Sequence, residues 1–78
     1  MPPIGYMEPD QILNLLGTLA EVFVLRNGVA YRLVRMGETQ PGVWIAEMYD
    51  RRGKQHNEYM IRGDMWYVTR RDLINWPR

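Results

Sequence analysis

The segment VWIAEMYD, residues 43–50, is apolar on both sides when laid out as a strand: Val43, Ile45 and Tyr49 take one face, and Trp44, Ala46 and Met48 take the other. A strand with one face in water alternates apolar with polar residues. This strand therefore needs cover on both sides, and the chain has only 78 residues with which to supply it. A chain of that length is a single domain, 1–78, and buries only about 60–65% of its unfolded surface. Cysteine is absent. Neither disulfides nor thiolate-bound zinc can add stability, whereas a second copy or a partner protein can.

The neighbouring segments repeat the pattern. In EVFVLRNGVAYRLVR, Asn27-Gly28 stands between two β-rich runs, the strongest short hairpin signal. A two-residue turn pairs Arg26 with Val29, Val24 with Tyr31 and Val22 with Leu33. Val22, Val24, Val29, Tyr31 and Leu33 then share one face, and Phe23, Leu25, Ala30, Val34 and Met36, joined by Arg32, share the other. After a loop at GETQPG, the segment DRRGK reads as a turn with Gly53 in the left-handed region, bringing Asp50 opposite Lys54 and Ile45 opposite Tyr59. Gly63-Asp64 predicts another tight turn, glycine first, that folds MWYV back so that Ile61 faces Trp66 and Met60 faces Tyr67. On this register Val43, Ile45, Tyr49, Tyr59, Ile61, Trp66 and Val68 form one face. Trp44, Ala46, Met48, Met60, Met65 and Tyr67 form the other.

One helix is available as cover. In PDQILNLLGTLAE, Ile12, Leu15, Leu16 and Leu19 fall at i, i+3, i+4 and i+7, which predicts a helix from about Pro9 to Ala20. Pro9 suits its first turn and Asp10 the positive end of its dipole. Gly17 marks either close packing or a tolerated break in propensity. Pro2 and Pro3 favour an extended arm over residues 1–8. Thr69-Arg70-Arg71-Asp72 has the outline of a capping box, so Arg70 to Trp76 is expected to form a short helical turn ended by Pro77. The expected fold is α+β: an N-terminal helix, then a five-stranded, strongly bent antiparallel sheet or small barrel, then a short helical turn. In general architecture this resembles small SH3-like barrels.

The residue types narrow the chemistry. Serine is missing along with cysteine, and His56 is the sole histidine. A nucleophile–histidine–acid triad would need a threonine with no histidine near it in sequence, and a histidine metal site would have one imidazole. Glu47 and Glu58 point to opposite faces and cannot flank one bond. The expectation is a non-enzyme with no cofactor, no metal and no small-molecule substrate, in which His56 is a solvated polar residue. The start, MPPIGYMEPD, has neither the basic end nor the apolar run of a signal peptide, and no stretch is long enough to span a bilayer, so a cytoplasmic location is expected.

Two constellations remain as binding surfaces. Trp44, Met48, Met60, Met65 and Tyr67 make an aromatic and methionine patch of the kind that dominates protein interfaces. Its cover is either the helix face of Ile12, Leu15, Leu16 and Leu19 or another chain. A single helix shields only a stripe, so a homodimer or a partner protein is expected on this face. Arg51, Arg52 and Lys54 crown one turn, and Arg70 and Arg71 follow the last strand; beside Trp44, Trp66 or Tyr67 they could follow a phosphate backbone and stack bases. Ten basic against nine acidic residues leave a net charge of only +1. The first reading is accordingly a protein-interaction module: an adaptor, assembly factor or small inhibitor of the kind phages also encode. The second is a small β-barrel binding RNA or single-stranded DNA.

Overall fold

Asn27 and Gly28 both take positive φ, at 53° and 79°, which is what a type I′ hairpin turn demands of its two central residues. The hairpin they close has the register expected from sequence: Arg26 pairs with Val29, Val24 with Tyr31 and Val22 with Leu33. A computed structural model describes residues 3–78. In chain order the elements are strand β1 (Gly5–Met7), helix α1 (Pro9–Thr18), strands β2 (Val22–Arg26), β3 (Val29–Gln40), β4 (Val43–Tyr49), β5 (Gln55–Ile61) and β6 (Trp66–Thr69), and a 3-10 turn, Arg71–Leu73. All pairings are antiparallel, in the order β1-β6-β2-β3-β4-β5.

The sheet thus has six strands, not five, and it is open: β1 and β5 are its two edges and do not close a barrel. Part of the expected N-terminal arm is strand β1, with Gly5 opposite Val68 and Met7 opposite Trp66; Met1 and Pro2 lie outside the described residues. The sheet is nevertheless strongly bent. Arg26 on β2 reaches Glu58 on β5 at 2.9 Å, across three strand spacings that would put their backbones about 14 Å apart in a flat sheet.

The β5–β6 connection departs most from the sequence reading. The turn runs from Ile61 to Asp64, with Asp64 N–H donating to Ile61 O and Gly63 at φ 96°. The chain does not fold back on β5. Residues 62–65 carry it to the far side of the curled sheet, where β6 pairs with β2 (Val24 opposite Val68) and with β1. Side-chain parity on β6 is therefore set by β2. Trp66 and Val68 join the concave face with Trp44, Ala46, Met48 and Met60, while Met65 and Tyr67 do not.

Helix α1 and the curl together cover the concave side of β4, while Val43, Ile45 and Tyr49 on its convex side stay half-exposed. Ile12 and Leu15 are buried on the concave side against Val22, Val24, Leu33, Met36, Trp44, Met48 and Met60. At the helix start Glu8 N–H donates to Gln11 Oε1 at 2.9 Å, reclaiming one unpaired amide. A Cβ at Gly17 would meet nothing within 4 Å, so the glycine serves no close approach. On the convex side the C-terminal segment covers Phe23 of β2: the 3-10 turn replaces the longer helical turn expected, and Trp76 packs edge-on against the Phe23 ring at 5.0 Å. Among the described residues no helix is long and apolar enough to cross a membrane.

Candidate nucleic-acid interface

The β4–β5 turn is built around one carboxylate. Asp50 Oδ1 accepts the amides of Arg52 and Lys54 at 2.9 and 3.0 Å, Asp50 N–H donates to Lys54 O, and Gly53 supplies the left-handed residue at φ 84°. Asp50 Oδ2 lies 3.0 Å from His56 Nε2. These contacts hold the Asp50 carboxyl below its ordinary pKa of 3.8, the His56 hydrogen bond first and the turn amides after it. His56 is thus half-buried, edge-on to Tyr31 at 5.1 Å and bonded to Asp50, rather than freely solvated. The turn spends its acidic group internally. Arg51, Arg52 and Lys54 are left projecting from it.

The second basic group is fixed from below. Arg71 grips Glu21 through Nε at 3.0 Å to Oε1 and Nη2 at 2.8 Å to Oε2, donates Nη1 to Pro77 O, and lies over the Phe23 ring at 5.3 Å. The Arg71 hydrogen bond pulls the Glu21 pKa below 4.5 and is the leading cause of the opposite shift in Arg71. Arg70 pairs with Asp72 at 3.1 Å. Tied down in this way, the C-terminal segment brings Trp76 between the two groups: Phe23 lies on one side, and the Arg51 guanidinium stands 5.8 Å from the ring centre, its Nε donating to Asn75 O at 2.7 Å.

Arg51, Arg52, Lys54, Arg70 and Arg71 form one constellation in the sequence reading. Around Trp76 the structure places Arg51, Arg52, Arg70 and Arg71 with Arg32, which lies opposite Tyr49 and Phe23 in the sheet, and Arg78; Lys54 lines neither of the two concavities there. Two concavities of about 570 and 520 Å³ share Trp76 and Arg78. Six of the ten basic residues thus line these concavities with three of the nine acidic ones, Glu21, Asp50 and Asp72, and each of those three is already engaged. Arg32, Arg52 and Lys54 have no carboxylate within ion-pair distance among the described residues. The aromatic partner is Trp76 in place of Trp44, Trp66 or Tyr67. Arg32, the sole charge on an otherwise apolar hairpin face, was the available sequence signal.

The aromatic and methionine patch does not exist as one surface. Trp44, Met48 and Met60 are 4%, 0% and 0% exposed, inside the core that α1 and the curled sheet close. Met65 is exposed and Tyr67 half-buried, both beside a separate hollow with Tyr6, Arg26 and Trp66; Tyr67 packs edge-on to Tyr6 at 5.2 Å. The pairing of β6 with β2 divides the five residues. No group of three or more His, Cys, Asp or Glu side chains among the described residues is placed to hold a metal ion.

No family model matches the chain, and neither a curated relative nor a solved structure matches it.

Proposed function

We propose that this chain is a non-catalytic binding module whose arginine-rich end takes single-stranded nucleic acid. The observation that carries the reading is the convergence of the Arg51–Lys54 turn and the Arg70-Arg71 pair on Trp76. Single strands are held by cationic grooves that follow the phosphates and by aromatic faces that stack on bases, each stacked base contributing about 1–3 kcal/mol. Guanidinium groups suit phosphate because they present paired donors in a plane. The near-neutral total charge does not oppose this, since local asymmetry of charge is what steers a ligand. The lack of serine and cysteine, with His56 engaged by Asp50, supports the non-catalytic half.

Fluorescence anisotropy with a labelled single-stranded oligonucleotide at several salt concentrations tests the reading. The expected result is binding that weakens as salt rises and is lost in Arg51→Ala/Arg52→Ala, with unchanged circular dichroism. Undiminished binding by the double variant would overturn it.

A protein-contact role in the cytoplasm, as adaptor, assembly factor or inhibitor, has support from another surface. On the convex face Val43 lies opposite Ile61 and Ile45 opposite Tyr59, and Tyr59 and Ile61 are 65% and 52% exposed. A pull-down comparing the parent with Tyr59→Lys would test it: partner capture that survives the charge removes this support.

A further inference from the structure

Strand β5 is an edge whose one inward-facing charge, Glu58, is neutralised by Arg26 and which has no backbone device to blunt it. It pairs with β4 alone, its register runs without a bulge from Ile61 opposite Val43 to Gln55 opposite Tyr49, and it contains neither proline nor lysine. Proteins ordinarily blunt such an edge with one of those devices, because its unpaired amides and carbonyls template another strand. The opposite edge, β1, is only three residues long.

Which groups of β5 are free follows from the ladder. Arg62 N–H donates to Gly42 O, and antiparallel pairs alternate. His56, Glu58 and Met60 therefore direct their backbone groups to β4, and Gln55, Asn57, Tyr59 and Ile61 direct theirs away. Ile61 confirms the alternation and ends the free stretch: its N–H donates to Asp64 Oδ2 at 3.0 Å and its carbonyl accepts Asp64 N–H. What remains is Gln55, Asn57 and Tyr59, all exposed.

We infer that a second copy of this chain pairs antiparallel along β5, about a twofold axis at Asn57. That register alone engages all three free residues: Asn57 meets Asn57 of the second copy and Gln55 meets Tyr59, giving about six backbone hydrogen bonds. It also sets His56 opposite Glu58 in the pairs that are not hydrogen-bonded, where side chains approach most closely. Each Glu58 already carries its own Arg26, and each His56 its own Asp50, so the pairing sets an imidazole opposite a carboxylate that is already neutralised and opposes no like charges. On the convex face Tyr59 would lie over Gln55 of the second copy. A two-fold self-pairing of this kind closes on itself and leaves no further edge of β5 to recruit a third chain. It uses neither Trp76 nor the arginine cluster, so it stands apart from nucleic-acid binding.

Sedimentation from micromolar to millimolar concentration, with amide exchange read by NMR, tests the pairing. The expected result is a mass rising to twice 9.3 kDa, with the amides of Gln55, Asn57 and Tyr59 protected only at the high end. Asn57→Pro removes an outward N–H while sparing the β4 ladder. It should weaken self-association at least about tenfold with a native circular dichroism spectrum. Tyr59→Lys, which leaves the backbone unaltered, should weaken it also and serves if the proline variant fails to fold. A parent that remains monomeric throughout, free exchange of the three amides at high concentration, or a folded Asn57→Pro that still dimerises would overturn the inference.

Discussion

Arg71 and Glu21 lie fifty residues apart in sequence, yet the guanidinium of one holds the carboxylate of the other through two nitrogens, at 3.0 and 2.8 Å. The pair fastens the C-terminal segment to the start of β2, and with it the Trp76 ring over Phe23. Since Trp76 stands beside the arginine cluster to which Arg71 itself belongs, the contact shapes the candidate surface from within it.

Acid should release this fastening. The folded pKa of Glu21 is depressed below its ordinary 4.5, chiefly by the Arg71 hydrogen bond, and Arg71 stays charged throughout. The contribution is therefore fully present above pH 4.5 and is lost as pH falls through the lower folded value. Trp44 and Trp66 are buried, so the difference in emission between the parent and Trp76→Phe isolates the exposed-side ring. That difference should change below pH 4.5 in the parent, and Glu21→Gln should show the acid-state signal already at pH 7.

A second prediction concerns the turn that presents the cations. Replacing Asp50 by alanine removes the acceptor of two amides and the partner of His56. Exchange of the Arg52 and Lys54 amides should accelerate by about tenfold, in proportion to local opening, with the global melt little altered. Because the Asp50 pKa is also depressed, from 3.8, the parent turn should loosen in the same way only as pH falls below 3.8.

Sequence made the hairpins plain and the sheet ends obscure, for a physical reason. Asn27-Gly28 and Gly53 specify positive φ locally, and a local demand can be met in only one register. Arg62 to Asp64 specify that the chain turns, but not which strand it meets next. That depends on the curl of the whole sheet, set by packing around Trp44, Met48 and Met60. A shift between Leu33 and Arg35 in the β3–β4 pairing likewise brings Met36 to the core side with Leu33, three residues along, which simple alternation forbids. The arginines of the candidate surface were legible as charges on turns. Their meeting at Trp76 was not, since nothing near Asn75-Trp76-Pro77 in sequence signals Phe23 or Arg51 as neighbours.

The parity of the sheet gives a third prediction, a pair of substitutions. Met48→Glu places a carboxylate at a fully buried site and should cost at least about 3 kcal/mol, a large share of the stability of a domain this small. Ile61→Lys, at a half-exposed convex position, should change stability by no more than about 0.5 kcal/mol. Urea melts of both variants decide it. Equal losses would mean that the convex face of β5 is covered in solution as thoroughly as the core.

The last prediction separates the two kinds of contact expected at the arginine-rich end. Arg52 and Lys54 have no carboxylate within ion-pair distance among the described residues, so on a single strand they can meet phosphate only by displacing counterions. Removing either should lower the slope of log affinity against log salt by about 0.7, the single-strand value for one phosphate contact. Trp76 carries no charge. Trp76→Ala should leave that slope unchanged while weakening binding at every salt concentration by about 1–3 kcal/mol, the value of one lost stacking contact. Trp76→Phe should recover part of the loss, because an aromatic face remains against Phe23. Circular dichroism and a thermal melt of each variant guard against loss of the C-terminal segment as a whole. If Trp76→Ala instead flattens the salt dependence, the ring acts by holding Arg51 in place, its guanidinium 5.8 Å away, rather than by stacking on a base.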